Sequence, residues 1–259
     1  MKPVVRKILL ILLCVALLAG LCVLLGKSRS HRLLVTCEGL KVEFADAHRF
    51  VSEDDIKAWL ERDYGSYIGQ RLDSVGLDRI ERILDEQSAI LKSEAYTTED
   101  GLLHVRLTQR EPVLRFQQGK EGFYVDDRGF IFPLQERFTA PVPVVDGAIP
   151  VRCAPGYKGP AQTEKERRWI ADMIGMMDWI RKSKIWKEAF VQVSVAQGGN
   201  LVLTPREGGE RFLFGPPEEI ADKFDRIGKY YEYIRPARGE GYYKTVNVRY
   251  DRQIICRQK

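Results

Sequence analysis

Residues 8–25 read ILLILLCVALLAGLCVLL, eighteen positions without a charged or strongly polar side chain. At ~1.5 Å per helical residue such a run spans about 27 Å, close to the ~30 Å hydrocarbon layer of a bilayer. A helix satisfies all its backbone polar groups internally, which that environment demands. A cleaved signal peptide is the rival reading, but its apolar region is usually shorter. Here Gly26 is followed by Lys27 rather than by a small-x-small site. Cys22 is preceded by Leu21, where a lipid-attachment site needs a small residue. The run is therefore read as an uncleaved anchor over residues 8–26, behind a short tail at residues 1–7. Three Lys or Arg stand on each side (Lys2, Arg6, Lys7; Lys27, Arg29, Arg32), so charge bias alone does not orient it.

Those six cations explain the formal charge of +5. The remaining 35 basic and 36 acidic residues nearly cancel, which argues against a nucleic-acid-binding surface. No second apolar run of that length follows, so residues 27–259 are expected on one side of the membrane. Outside the run, Cys37, Cys153 and Cys256 have neither disulfide-framework nor zinc spacing, although one pairing among them stays open.

Residues 33–44 read as a strand or two short strands broken near Gly39. SEDDIKAWL then starts a helix capped by Ser52 with Asp55 at its third position; Glu53, Asp54 and Asp55 suit the positive end of its dipole. Leu77, Ile80 and Leu84 recur at helical spacing, with Asp73 or Ser74 as cap. AILKSEAYTT and LLHVRLTQR form two strands around Glu99-Asp100-Gly101, with Leu103, Val105 and Leu107 on one face. The first unit is thus strand, helix, helix, strand, strand: an α+β layer.

From Val113 the pattern is mostly strand. GFYVDDRGFIFP predicts a hairpin around Asp126–Gly129. APVPVVDG is expected to be an edge strand or extended link, because its two prolines lack donors. Thr163 and Glu166 make a capping box for a helix with Ile170, Ile174 and Met177 as its core stripe. AFVQVSVAQGGNLVLTP reads as another hairpin, with Val191, Val193 and Val195 alternating. A long helix follows, with Pro217 in its first turn and Ile220, Phe224, Ile227, Tyr231 and Ile234 inward. Glu219–Lys223 and Asp222–Arg226 are expected as outward pairs, and Pro236 and Gly239 as its end.

No catalytic set emerges. His31, His48 and His104 have no second ligand at metal spacing, and there is neither a phosphate loop nor a nucleophile elbow. A D-D-R-G turn accounts for Asp126 and Asp127. Trp169, Met173, Met176 and Met177 read as core. Tyr230, Tyr231, Tyr233, Tyr242 and Tyr243 form an aromatic-rich zone of the kind enriched at binding surfaces, although half of them must also serve the core helix. No cofactor, metal or small-molecule substrate is expected.

REPVLRF at the junction, YVDDRGFIFP, FGPPEEIADKFDRI and VNVRY occur in this order and spacing. With the anchor they resemble the FtsQ/DivIB family of bacterial cell-division proteins, in a divergent, Bacteroidetes-like form. The resemblance implies a POTRA-like domain over residues 33–111 and a mostly antiparallel β domain with two added helices over residues 112–259. It implies a non-enzymatic inner-membrane divisome scaffold, N-terminus cytoplasmic and bulk periplasmic, linking early and late division proteins at the division site. Its implied partners are single-span coiled-coil proteins of FtsB and FtsL type, an FtsB strand adding to the last strands, and other divisome membrane proteins. Arg249 and Tyr250 match that binding face by position. Where many relatives place a basic residue after the glycine that opens the last helix, this chain has Gly215-Pro216, and Gln258 or nearby polar residues replace the family's aromatic residue just beyond the final strand. A membrane-anchored POTRA-containing transport or secretion component is the alternative, and an anchored envelope enzyme a third reading.

The terminal VNVRYDRQIICRQK reads as a strand pair with a free edge, its charge supplied by Arg252, Arg257 and Lys259. The expected partner-binding set is Arg249, Tyr250, Arg252, Ile254, Ile255 and Cys256. Alternation puts Val246, Val248 and Tyr250 on one face and Asn247, Arg249 and Asp251 on the other. Tyr250 is then expected to pack partly with the valines, and Arg249 to be the more exposed contact.

Overall fold

The computed structural model describes residues 12–21, 35–47 and 50–258. Residues 12–21 are helical, with Leu12, Leu13, Val15, Leu17, Leu18 and Leu21 exposed. The rest of the expected anchor, the tail, His31 and His48 lie outside the described residues. Among the described residues no helix is long and apolar enough to cross a membrane. The chain divides into two compact units, Met1–Gln109 and Arg110–Lys259.

In the first unit the order is β1 (Gly39–Phe44), α1 (Glu53–Trp59, widening through Leu60–Tyr64), α2 (Leu77–Asp85), β2 (Ile90–Thr97) and β3 (Leu102–Gln109). The sheet runs β1-β3-β2, with β1 parallel and β2 antiparallel to β3. Ile80, Leu84, Leu103, Val105 and Leu107 are buried, as their spacing predicts, and so are Ile56 and Leu60 of the first helix. Ser52 Oγ accepts from the Asp55 amide at 3.3 Å, and Asp55 Oδ2 accepts from the Ser52 amide at 2.9 Å. The expected cap of α2 is different. Asp73 and Ser74 belong to a separate tight turn, Leu72–Ser74, and Gly76 precedes the helix without a side-chain cap. The Tyr64 hydroxyl accepts the Gly76 amide at 2.9 Å, so a distant side chain satisfies an amide at that end.

The second unit holds one ten-stranded sheet in the order β13-β12-β11-β10-β9-β7-β4-β5-β6-β8. Its strands are β4 (Pro112–Gln118), β5 (Glu121–Asp126), β6 (Phe130–Pro133), β7 (Val144–Gly147), β8 (Gly159–Pro160), β9 (Phe190–Val195), β10 (Leu201–Pro205), β11 (Arg211–Gly215), β12 (Tyr243–Asn247) and β13 (Ile255–Gln258). Two helices, α3 (Glu164–Lys182) and α4 (Ile220–Lys229), share its core through Met173, Met176, Phe224 and Ile227. The Thr163–Glu166 capping box forms. So does the Asp126 turn: the buried carboxylate accepts from the amides of Arg128 and Phe130 and pairs with Arg110 at 2.8 Å.

Three expectations are corrected here. Residues 144–147 are not an edge but lie between β4 and β9, parallel to both. Pro141 and Pro143 stop just short of the ladder, where Pro143 contributes only its carbonyl, to the Arg115 amide at 3.0 Å. The long helix begins at Ile220, leaving Pro217 outside. It runs past Pro236, because a wider turn at Tyr230–Ile234 resets it before α5 (Arg235–Arg238); Gly239, at φ 92, does end it. Lys223 and Arg226 do not face outward. Both are buried, because the chain before and after α4 closes over them. Strand β11 had no sequence expectation, although Phe212 and Phe214 alternate inward.

Candidate partner-docking edge

The terminal strands form at one end of the sheet. β12 runs parallel to β11, and β13 returns antiparallel to β12, pairing Asn247 with Ile255, Val246 with Cys256 and Thr245 with Arg257. Strand β12 begins three residues earlier than the VNVRY stretch and ends at Asn247. The following residues turn the chain rather than extend it. Asn247 Oδ1 accepts the Arg249 amide at 3.1 Å, and Arg252 adopts φ 54 at the exposed tip.

The expected side-chain roles therefore shift. Val246 and Val248 are fully buried, as alternation requires, but Tyr250 is 50% exposed and Arg249 is largely covered. The strand has ended before these positions, so alternation no longer governs them. Arg249 lies back on Gly215, where an added Cβ would stand 2.8 Å from its Cγ, and its Nε donates to Asn247 Oδ1 at 3.2 Å. Its guanidinium is 5.5 Å from the Tyr250 ring centre. Gly215 thus has a local reason: it leaves room for the Arg249 stem.

Along β13 the expected contacts divide. Ile254 and Cys256 pack on the core, whereas Ile255 and Arg257 are exposed. Burial raises the Cys256 thiol pKa, and Cys37, Cys153 and Cys256 are all free thiols. Gln258 donates to the Tyr242 hydroxyl near the end of the chain. The tyrosine zone divides likewise. Tyr230 is buried, which pushes its hydroxyl up to about 12, while Tyr233 and Tyr242 stay exposed.

Arg226 was missed as part of this region. From α4 its Nε donates to the Val248 carbonyl at 3.0 Å, and its Nη1 lies 3.6 Å from Asp251 Oδ1. Nearby, Lys223 donates to the Pro216 carbonyl at 2.9 Å, with burial lowering its pKa. Helical spacing alone disguised both as surface charges. The hint available was their position on a helix flanked by chain that must return to the sheet.

Among the described residues there is no cluster of three or more metal-ligating side chains. What the region offers is backbone. β13 ends the sheet, with no strand on its outer side among the described residues, whereas the opposite edge, β8, is two residues long and closes with Pro160.

The fold defines a two-unit α+β protein, a small βααββ layer followed by a long mixed sheet. Its first unit matches the POTRA-like domain over residues 35–108. The FtsQ/DivIB, C-terminal related family matches residues 111–257, more than half of the chain, and the chain belongs to that family of cell-division proteins. No curated protein sequence matches it.

Proposed function

We propose that this chain is a non-enzymatic divisome scaffold, anchored by residues 8–26 with its N-terminus cytoplasmic and its two folded units in the periplasm. It recruits single-span coiled-coil proteins of FtsB and FtsL type, and so links early and late division proteins. The FtsB-type partner adds an extended segment to β13. The observation that carries this reading is the outer edge of β13, four residues at the end of the sheet with no strand beside it among the described residues. Strand addition draws its affinity from main-chain hydrogen bonds and its specificity from alternate side chains. Ile255 and Tyr250 supply exposed apolar contact and Arg249 and Arg252 the charge, while Ile254 and Cys256 hold the strand onto the core.

Deleting residues 252–259 from the full chain tests this. The truncated protein should lose capture of an FtsB-type partner while the POTRA-like unit keeps its native hydrogen-exchange protection. Capture retained at full strength overturns the edge-docking reading.

A further inference from the structure

The two outer edges of the first unit's sheet are built differently. On β2 the amides of Ser93 and Ala95 point away from β3, and both are taken by α2: Asp85 Oδ1 accepts from Ser93 at 2.7 Å and Glu81 Oε1 from Ala95 at 2.7 Å. A strand arriving there finds these donors occupied. The same parity fixes the other edge. Even-numbered β3 residues turn their backbone toward β2, as in the bond from the Thr98 amide to the Leu102 carbonyl, so Leu103, Val105 and Leu107 turn theirs toward β1. The Leu107 carbonyl accepts the Ala45 amide at 2.8 Å, which makes odd-numbered β1 residues the ones bonded to β3. The outward backbone groups on β1 are therefore those of Leu40, Val42 and Phe44, and among the described residues no strand pairs with them. The loop at residues 69–70 covers this side only as far as Cys37.

This open edge is self-complementary. An antiparallel two-fold pairing centred on Val42 sets Val42 against its own copy and Leu40 against Phe44 of the second copy. All of these residues carry outward backbone groups, as hydrogen-bonded pairs require. On the other face the same register sets Lys41 opposite Glu43 of the second copy, and Glu43 opposite Lys41. Within one copy Lys41 Nζ already lies 3.0 Å from Glu43 Oε1, so the two-fold pairing would merge two such pairs into a four-charge cluster of alternating sign; their side chains are 55% and 43% exposed, and Phe44 is 38% exposed. Shifting the centre to position 41 or 43 would instead oppose like charges, which is destabilising. Backbone parity, charge and apolar pattern thus select one register, and the interface is isologous.

We propose that two copies of this chain associate through β1, joining their three-stranded sheets into one six-stranded sheet. A six-residue edge is smaller than the roughly 1,000 Å² expected of a stable interface, so the contact is weak and is favoured where copies are concentrated.

The test is Val42→Cys in the full chain, reconstituted in phosphatidylglycerol/phosphatidylethanolamine vesicles and oxidised mildly, against the parent with its native cysteines. Across such a pair the Cα atoms stand about 5.5 Å apart, within disulfide reach. Val42→Cys should give at least a several-fold excess of covalent dimer over the parent. Adding Lys41→Glu or Glu43→Lys alone should suppress it, and both together should restore it. Dimer no greater than the parent's overturns the proposal, as does equal cross-linking in the single-reversal and double-reversal variants. Lys41 and Glu43 are exposed, and unchanged circular dichroism of each variant separates loss of pairing from loss of fold.

Discussion

Arg226 Nε donates to the carbonyl of Val248 at 3.0 Å, so a buried cation in the middle of α4 holds the segment that leads into the last strand. The same guanidinium reaches Asp251 at 3.6 Å on the exposed turn, bracing both ends of residues 248–251. A hydrogen bond from a charged group is worth about 1.5–3 kcal/mol, more than most single contacts in a surface turn.

Arg226→Met should therefore cost about 2 kcal/mol in urea unfolding. Its distinguishing effect is local. Amide exchange should accelerate across residues 248–258 more than across β9 and β10. Uniform acceleration of the whole unit would mean that Arg226 serves only the core.

Gly147 closes β7 at φ 87, and a Cβ there would stand 2.3 Å from the Val195 carbonyl oxygen. Because β7 lies between two strands, neither neighbour has free space to yield. Gly147→Ala should destabilise the unit by about 3 kcal/mol, combining left-handed strain with the clash. Urea denaturation measures this, and a change below about 0.5 kcal/mol would contradict an interior β7.

Arg252 holds φ 54 with its side chain 92% exposed. Left-handed backbone costs a non-glycine residue about 1–2 kcal/mol, partly offset by the greater freedom of glycine in the unfolded chain. Arg252→Gly should raise thermal stability slightly, equivalent to about 0.5–1 kcal/mol. Loss of stability would mean that the arginine makes contacts worth more than the strain.

Glu166, the buried member of a capping box, contributes to the pH dependence. Burial works against its charge, but the Thr163 amide at 2.9 Å, the Thr163 hydroxyl and the Arg152 amide at 3.2 Å together hold its pKa below the ordinary glutamate value. A depressed carboxylate pKa contributes stability that is present above the unfolded-state value of about 4.3 and is lost as pH falls through the folded value. The urea midpoint should thus fall as the pH drops below about 4.3, and Glu166→Gln should make that slope shallower. An unchanged slope would place the acid sensitivity elsewhere.

Much of this fold was legible in the sequence because short-range patterns carry it. The capping residues Ser52 and Thr163, the Asp126 turn and the alternation of Leu103, Val105 and Leu107 each declare an element without tertiary information. What escaped depends on which strand lies beside which. Two prolines made the Val144–Gly147 stretch look like an edge, yet they end before the ladder begins. Lys223 and Arg226 have the spacing of solvent-facing pairs with Glu219 and Asp222, and only the returning chain buries them. Tyr250 and Arg249 have exchanged their expected exposures because the strand stops at Asn247, three residues short of Tyr250. The terminal strand pair at the sheet's end was legible in outline, but which of its residues face the core and which face outward was not.

The proposed docking is tested most directly by hydrogen exchange on the full chain with and without a synthetic peptide spanning the strand-forming segment of an FtsB-type protein. Edge docking predicts new protection concentrated on the amides of β13, residues 255–258, with smaller changes at Tyr250 and Arg252. Protection confined to another surface, with β13 exchanging as fast as in the free protein, would contradict it.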